Sequence, residues 1–138
     1  MATLLGFDYG HRKVGIAVGQ TLTRSATPLV TLRAQKNQPD WQGIARLIQD
    51  WTPTALVVGL PFHMDDREAQ VAPEARRFAR QLDGRFGLPV HLVDERLTSK
   101  EARSRLARRP KRIEVLDALA AALILETWLH DDGRSAVG

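Results

Sequence analysis

The chain has no cysteine among its 138 residues, which excludes disulfides and thiolate metal sites. Any metal must be held by oxygen or imidazole. No apolar run approaches the ~20 residues that cross a bilayer. The N-terminus lacks a basic segment followed by an apolar stretch and a small-residue cleavage site. A cytoplasmic protein with no membrane partner is the expectation. Internal repeats, low-complexity tracts and linkers are also missing, so residues 1–138 are expected to form a single domain, with 131–138 as a flexible tail. Acids are scarce in one region: between Arg96 and Arg112 the only one is Glu101, against Arg96, Lys100, Arg103, Arg105, Arg108, Arg109, Lys111 and Arg112. The net charge of +4 and this clustering favour a polyanionic partner.

What is present is a sequence of short apolar runs. Residues 3–9 read as a buried strand, and residues 13–20, where Val14, Ile16 and Val18 alternate with Gly15, Ala17 and Gly19, as a second. The Gly10-His11-Arg12 connection makes them a hairpin, and the alternating stretch 27–33 adds a third antiparallel strand. Asp40 is placed to cap a helix reaching Trp51, which Pro53 stops. Residues 55–58 form a continuous apolar run, as in a strand buried on both faces. The polar stretch up to Pro73 reads as an exposed loop, and a helix is expected over 73–83, with Gly84 and Gly87 breaking the chain after it. A further strand over 90–93, a helix capped by Thr98 or Ser99, and a last helix over 113–129 complete the order β-β-β-α-β-α-β-α-α. That order predicts an α/β fold: a mixed sheet of five strands, with an antiparallel meander followed by parallel crossovers, and helices on both faces.

Three acids stand out against this frame. Asp8 ends the first strand, on the face shared by Leu4 and Gly6. Glu95 follows the strand run Val90-His91-Leu92-Val93-Asp94, at the strand end where open α/β sheets bind ligands. Asp117 falls on the helical stripe of Ile113, Ala120, Ala121, Ile124 and Trp128, where an ionised carboxylate is costly unless paired or bound to a cation. Each has an ordinary alternative: an Asx turn for Asp8, a solvated strand end for Glu95, and a salt bridge to Arg12 or another arginine for Asp117. Together, from a first strand, a later parallel strand and a last helix, they describe an oxygen-only site suited to magnesium or manganese. Two such ions suit hydrolysis of a phosphodiester. Histidines carry less: His91 reads as a packed strand residue, and His63 sits in a polar loop. Trp41, Trp51 and Trp128 lie at helical spacing from apolar residues and read as core.

The segments FDYGHRKVGIAVG (7–19), VVGLP (57–61), VDERLTSKEA (93–102) and LDALAAALILE (116–126) resemble, in the same order, the YqgF/RuvX-type nucleases of the ribonuclease H-like superfamily. That family is described as Holliday-junction-resolvase-like and as nucleases maturing the 5′ end of pre-16S rRNA. The resemblance implies a ribonuclease H-like sheet and metal-dependent phosphodiester hydrolysis, with Asp8, Glu95 and Asp117 as catalytic metal ligands. The nucleic-acid contacts are expected from Arg12, Arg96, Thr98, Lys100, Arg103, Arg105, Arg108, Arg109, Lys111 and Arg112. Its partners would be structured RNA or branched DNA, bound by a monomer or homodimer. Two segments depart from the family pattern: His63-Met64-Asp65-Asp66 replaces an Asn-Met-Asp-Gly-like turn, and the stretch between Ala102 and Asp117 is shorter than usual.

Two other classes compete. A ribonuclease H-like scaffold that assists ribosome assembly without cutting has no need of Asp117 on a packing face. An actin-like ATPase shares the aspartate–glycine hairpin of residues 7–19, but needs two lobes to enclose a nucleotide, and this chain has length for one.

Overall fold

The computed structural model describes residues 2–60, 66–94 and 113–130. Its elements are β1 (Thr3–Tyr9), β2 (Lys13–Gln20), β3 (Ser25–Arg33), α1 (Trp41–Trp51), β4 (Ala55–Leu60), α2 (Asp66–Phe86), β5 (Val90–Asp94) and α3 (Ile113–Leu129). The five strands form one sheet in the order β3-β2-β1-β4-β5. β1, β2 and β3 pair antiparallel, whereas β1–β4 and β4–β5 are parallel. The expected helix that Thr98 or Ser99 would cap falls outside the described residues.

Two-residue alternation divides the sheet into two faces. Leu5 and Phe7 of β1, Val14, Ile16 and Val18 of β2, and Leu56 and Val58 of β4 pack with Ile44 of α1 and Phe78 and Leu82 of α2. On the other face Leu4, Ala55, Val57 and Val93 pack with Ile124, Leu125 and Leu129 of α3. β4 is buried along its whole length, which explains its unbroken apolar run. Among the described residues no polar or charged side chain is fully buried. No helix among them is long and apolar enough to cross a membrane.

The α1 boundaries follow from local chemistry. Asp40 Oδ1 accepts a hydrogen bond from the Gly43 N–H at 3.0 Å, satisfying one of the helix's orphan donors. At the other end Thr52 turns left-handed, donates its N–H to the Ile48 carbonyl at 2.8 Å, and leads into Pro53.

Three expectations are corrected. β3 begins at Ser25 rather than residue 27, because the ladder extends through the Gln20–Ser25 and Gly19–Ala26 pairs. The stretch before Pro73 is not a loop throughout: α2 starts at Asp66 and carries Pro73 in its interior. An internal proline lacks the N–H that the i→i−4 ladder uses and costs about 3 kcal/mol in an isolated helix. Beyond it, Ala75, Phe78, Ala79 and Leu82 pack on the sheet. Nor does Gly84 end α2. The helix passes through it to Phe86, and Gly87, at φ +64°, ends it by donating its N–H to the Asp83 carbonyl at 2.9 Å.

The tightest contact in the fold is between α3 and the β1–β2 hairpin. A Cβ on Gly15 would collide with the backbone carbonyl of Asp117, and one on Gly6 would stand 2.8 Å from Leu125 Cβ and 3.1 Å from the Ala121 carbonyl oxygen. Ala17, Ala121 and Ala122 fill the space between with small side chains. Because the obstruction at Gly15 is backbone and not a flexible side-chain tip, a larger residue can enter only by displacing α3. We expect Gly15→Ala to lose about 2 kcal/mol or more in denaturant unfolding, with Gly6→Ala losing less. Equal melting of Gly15→Ala and the wild type would contradict this packing.

Candidate active site at the carboxyl edge of the sheet

Asp8 occupies the second-last position of β1, with its Cα paired to Gly15 of β2. Directly paired antiparallel residues lie about 4.5–5.5 Å apart and send their side chains to the same face. Gly15 has no side chain, and the backbone of Asp117 rests in the space it leaves. Asp8 and Asp117, 109 positions apart in sequence, are therefore brought together through one glycine. α3 runs antiparallel to β1, since Asp117 sits over Gly15 while Leu125 sits over Gly6 and Gly19. Its N-terminal half thus lies toward the carboxyl end of β1.

Lys13 completes this corner. It begins β2 on the same face as Gly15 and places its ammonium 2.9 Å from Asp117 Oδ2. The two side chains are 29% and 25% exposed, so the pair is shielded but not sealed. Oδ2 itself is buried and receives no aligned hydrogen bond among the described residues, so the Lys13 contact is one of charge rather than a directed bond. A carboxylate oxygen held out of water in this way retains lone pairs for a cation.

Among the described residues the ion pair of Asp117 is to Lys13; the alternative of a salt bridge to Arg12 is not what forms, and the arginines of 96–112 lie outside the described residues. Arg12 is solvent-exposed in the β1–β2 turn, where its carbonyl accepts the Ala34 N–H at 2.8 Å. Lys13 was absent from the sequence candidates, although its parity with Gly15 along β2 places it on the α3 face. Asp117 is also less deeply set than its stripe suggests; the buried side of α3 is formed by Ala118, Ala121, Ala122, Leu125 and Leu129 with their neighbours.

Glu95 lies outside the described residues, one position past Asp94, whose Cα pairs with Leu60. Arg96, Thr98, Lys100, Arg103, Arg105, Arg108, Arg109, Lys111 and Arg112 also lie outside them, as does His63. Among the described residues no three acids or histidines form a group able to hold a metal. His91 is packed as expected, stacking on Trp128 of α3 with ring centroids 4.8 Å apart. Trp41 packs against the core too, but Trp51 is 38% exposed and is not a core residue.

Comparison with known proteins gives a consistent picture. A family model described as "RuvX: Holliday junction resolvase" matches residues 2–131. A protein of Azotobacter vinelandii named "Putative pre-16S rRNA nuclease" is 53% identical over 132 residues, covering 93% of each chain. One of the same name from Legionella pneumophila is 54% identical over 131 residues, covering 91% of this chain and 94% of the relative. Among solved structures, T. thermophilus RuvC in complex with a Holliday junction substrate superposes with a TM-score of 0.59 at 19% identity, covering 99% of this chain and 97% of that one. The fowlpox virus resolvase in its Holliday junction DNA complex gives 0.51 at 10% identity, covering 94% and 99%. At these identities the structural likeness speaks for the fold.

Removing the ammonium while keeping the stem tests the corner directly. Lys13→Met should leave the Asp117 carboxylate without its counter-charge and lower the thermal midpoint of metal-free protein by about 4 °C, with Lys13→Arg retaining most of the difference. An unchanged midpoint in Lys13→Met would mean that the ion pair contributes nothing to the fold.

Proposed function

The chain belongs to the RuvX Holliday junction resolvase family, and from that membership and the corner joining Asp8 to Asp117 we propose that it is a divalent-metal-dependent nuclease maturing the 5′ end of pre-16S rRNA. The observation that carries this reading is the glycine contact at Gly15. It sets the Asp117 backbone against the residue paired with Asp8, at the strand ends where such sheets take their ligands.

Asp8, Glu95 and Asp117 are the proposed metal ligands. Their donor set is all oxygen, as magnesium and manganese prefer, and the buried Asp117 Oδ2 lacking an aligned donor fits a cation site. Glu95 shares the sequence parity of Val93, which packs on the α3 face. When bound, two such ions would activate a water and stabilise the leaving oxygen of a phosphodiester. The chain's own residues do the rest. The backbones of Asp8 and Asp117 are fixed by strand pairing and by the helix contact at Gly15, which limits what must be ordered when substrate arrives. Leu4, Val57 and Val93 wall off the interior beneath the site from water. Arg12, exposed at the turn beside Asp8, is positioned to meet a phosphate, and the arginine-rich stretch 96–112 supplies further forks for phosphate oxygens.

Asp8→Asn should reduce magnesium- or manganese-dependent cleavage of a pre-16S 5′-end substrate by about two to three orders of magnitude or more while leaving the fold intact. Undiminished cleavage by a rigorously purified variant would sink the mechanism. A readout independent of activity comes from melting: manganese should raise the midpoint of Lys13→Met more than that of wild type, because the ammonium no longer competes for Asp117. No manganese shift in either protein would remove the metal from this corner. Substrate affinity should fall steeply with salt, and Arg12→Ala should reduce the slope of log K against log salt by about one.

The resolvase reading is the second one, favoured by the fold shared with RuvC across the whole chain. Symmetric cutting of a four-way junction requires two copies. Cleavage of junction DNA in preference to pre-rRNA, by a protein of dimeric solution mass, would establish it over the first.

A further inference from the structure

The opposite face of the same strand carries a second cavity that the proposed mechanism does not use. It measures about 380 Å³ and opens between the β1–β2 turn, the turn before α1, and the middle of α2. That is toward the small end of the ~300–1,000 Å³ typical of ligand pockets. Tyr9 and Trp41 form an aromatic floor, both packed on Phe78, with ring centroids 5.0 and 5.6 Å from it. Arg85 lays its guanidinium 4.2 Å above the Trp41 ring. Arg77 and the amide of Gln81 line the wall.

The rim is built in an unusual way. Lys36 and Asn37 both adopt left-handed backbone, φ 51° and 64°, in a turn closed by paired hydrogen bonds between Gln35 and Gln38. Asparagine tolerates this conformation, but lysine pays a steric cost there. This turn brings Asn37 and Gln38 into the lining of the cavity. On the far side His11 reaches Glu74 at 2.9 Å, so the one carboxylate of the wall has a basic partner.

Aromatic rings, guanidinium groups and primary amides are the groups that hold an unpaired base: stacking surface, phosphate forks and edge-reading hydrogen bonds. We propose that this cavity is a nucleotide subsite that receives an unpaired base of the nucleic-acid strand whose phosphodiester is held at Asp8. The proposal rests on the nuclease reading for the identity of the strand. The connection is short because Asp8 and Tyr9 are adjacent in β1 and point to opposite faces of the sheet. A strand that crosses the Gly10–Arg12 turn reaches both. The environment of Tyr9 is in keeping with a shielded floor: burial first, and then the Glu74 carboxylate, push its hydroxyl above the usual tyrosine range, with Arg77 opposing.

The test compares charge-matched variants of the full chain binding a fluorescein-labelled oligoadenylate by anisotropy, without divalent metal. Arg77→Ala/Arg85→Ala removes two guanidiniums from the cavity, and Arg46→Ala/Arg80→Ala removes two exposed ones outside it. The cavity pair should weaken binding about tenfold and the outside pair by less than about threefold at the same salt. Gln81→Ala, which removes no charge and no floor ring, should weaken binding about threefold without altering the salt slope. Equal losses in the two arginine pairs, with Gln81→Ala at wild-type affinity and all variants melting normally, would overturn the subsite. Manganese-dependent cleavage measured on the same wild-type preparation separates the two ideas. Cleavage with no cavity-specific loss sinks the subsite alone, whereas cavity-specific binding without cleavage sinks the nuclease reading and leaves the nucleotide site.

Discussion

The backbone of α3 at Asp117 lies against Gly15 with no side chain between them, and most of what is distinctive about this protein depends on that contact. Dense packing makes it a discrete fit and not a sliding one. With Gly15 and Gly6 beneath it and Ala121 and Ala122 on its own surface, the helix approaches the hairpin as closely as backbones permit. Ordinary core residues on those positions would hold it farther away and separate Asp117 from Asp8. The small residues are thus a requirement of the acidic corner as much as of the core.

The rest of the molecule supports that corner from both sides. The parallel pairs β1–β4 and β4–β5 bring three strand ends to one edge, so residues leaving β1 and β5 can serve one site. Behind the sheet, Phe7, Ile16, Leu56 and Phe78 form the larger core and keep β1 rigid. Asp8 thus stands near the end of a central strand backed by a filled core. The shielded Lys13–Asp117 pair occupies the same place with a cation of the chain's own. In this arrangement the fold supplies the acid with a counter-charge from its own chain.

Much of this was legible in the residues. Alternation placed Asp8 with Leu4 and Gly6, and the strand and helix order predicted the mixed sheet that forms. The failures have specific causes. Pro73 looked like a helix boundary because local rules penalise it, whereas α2 begins at Asp66 and runs through it. Gly84 looked like a stop for the same reason, but only Gly87 adopts the left-handed backbone that ends a helix. Trp51 followed the helical period yet stands at the helix end, where the stripe runs off the sheet.

Local sequence determined by itself the strands, the two faces of β1, the Asp40 cap and the absence of cysteine and membrane-length apolar helices, because each depends on neighbours a few positions away. The partner of Asp117 was a different matter. That Lys13 is its cation among the described residues, and that Tyr9 and Trp41 share a cavity with Arg77 and Gln81, depends on how separate elements dock. Those contacts join residues far apart in the chain, and their geometry is set by side-chain volume at the interface: the missing Cβ of Gly15 decides where α3 lies, and with it which acids meet.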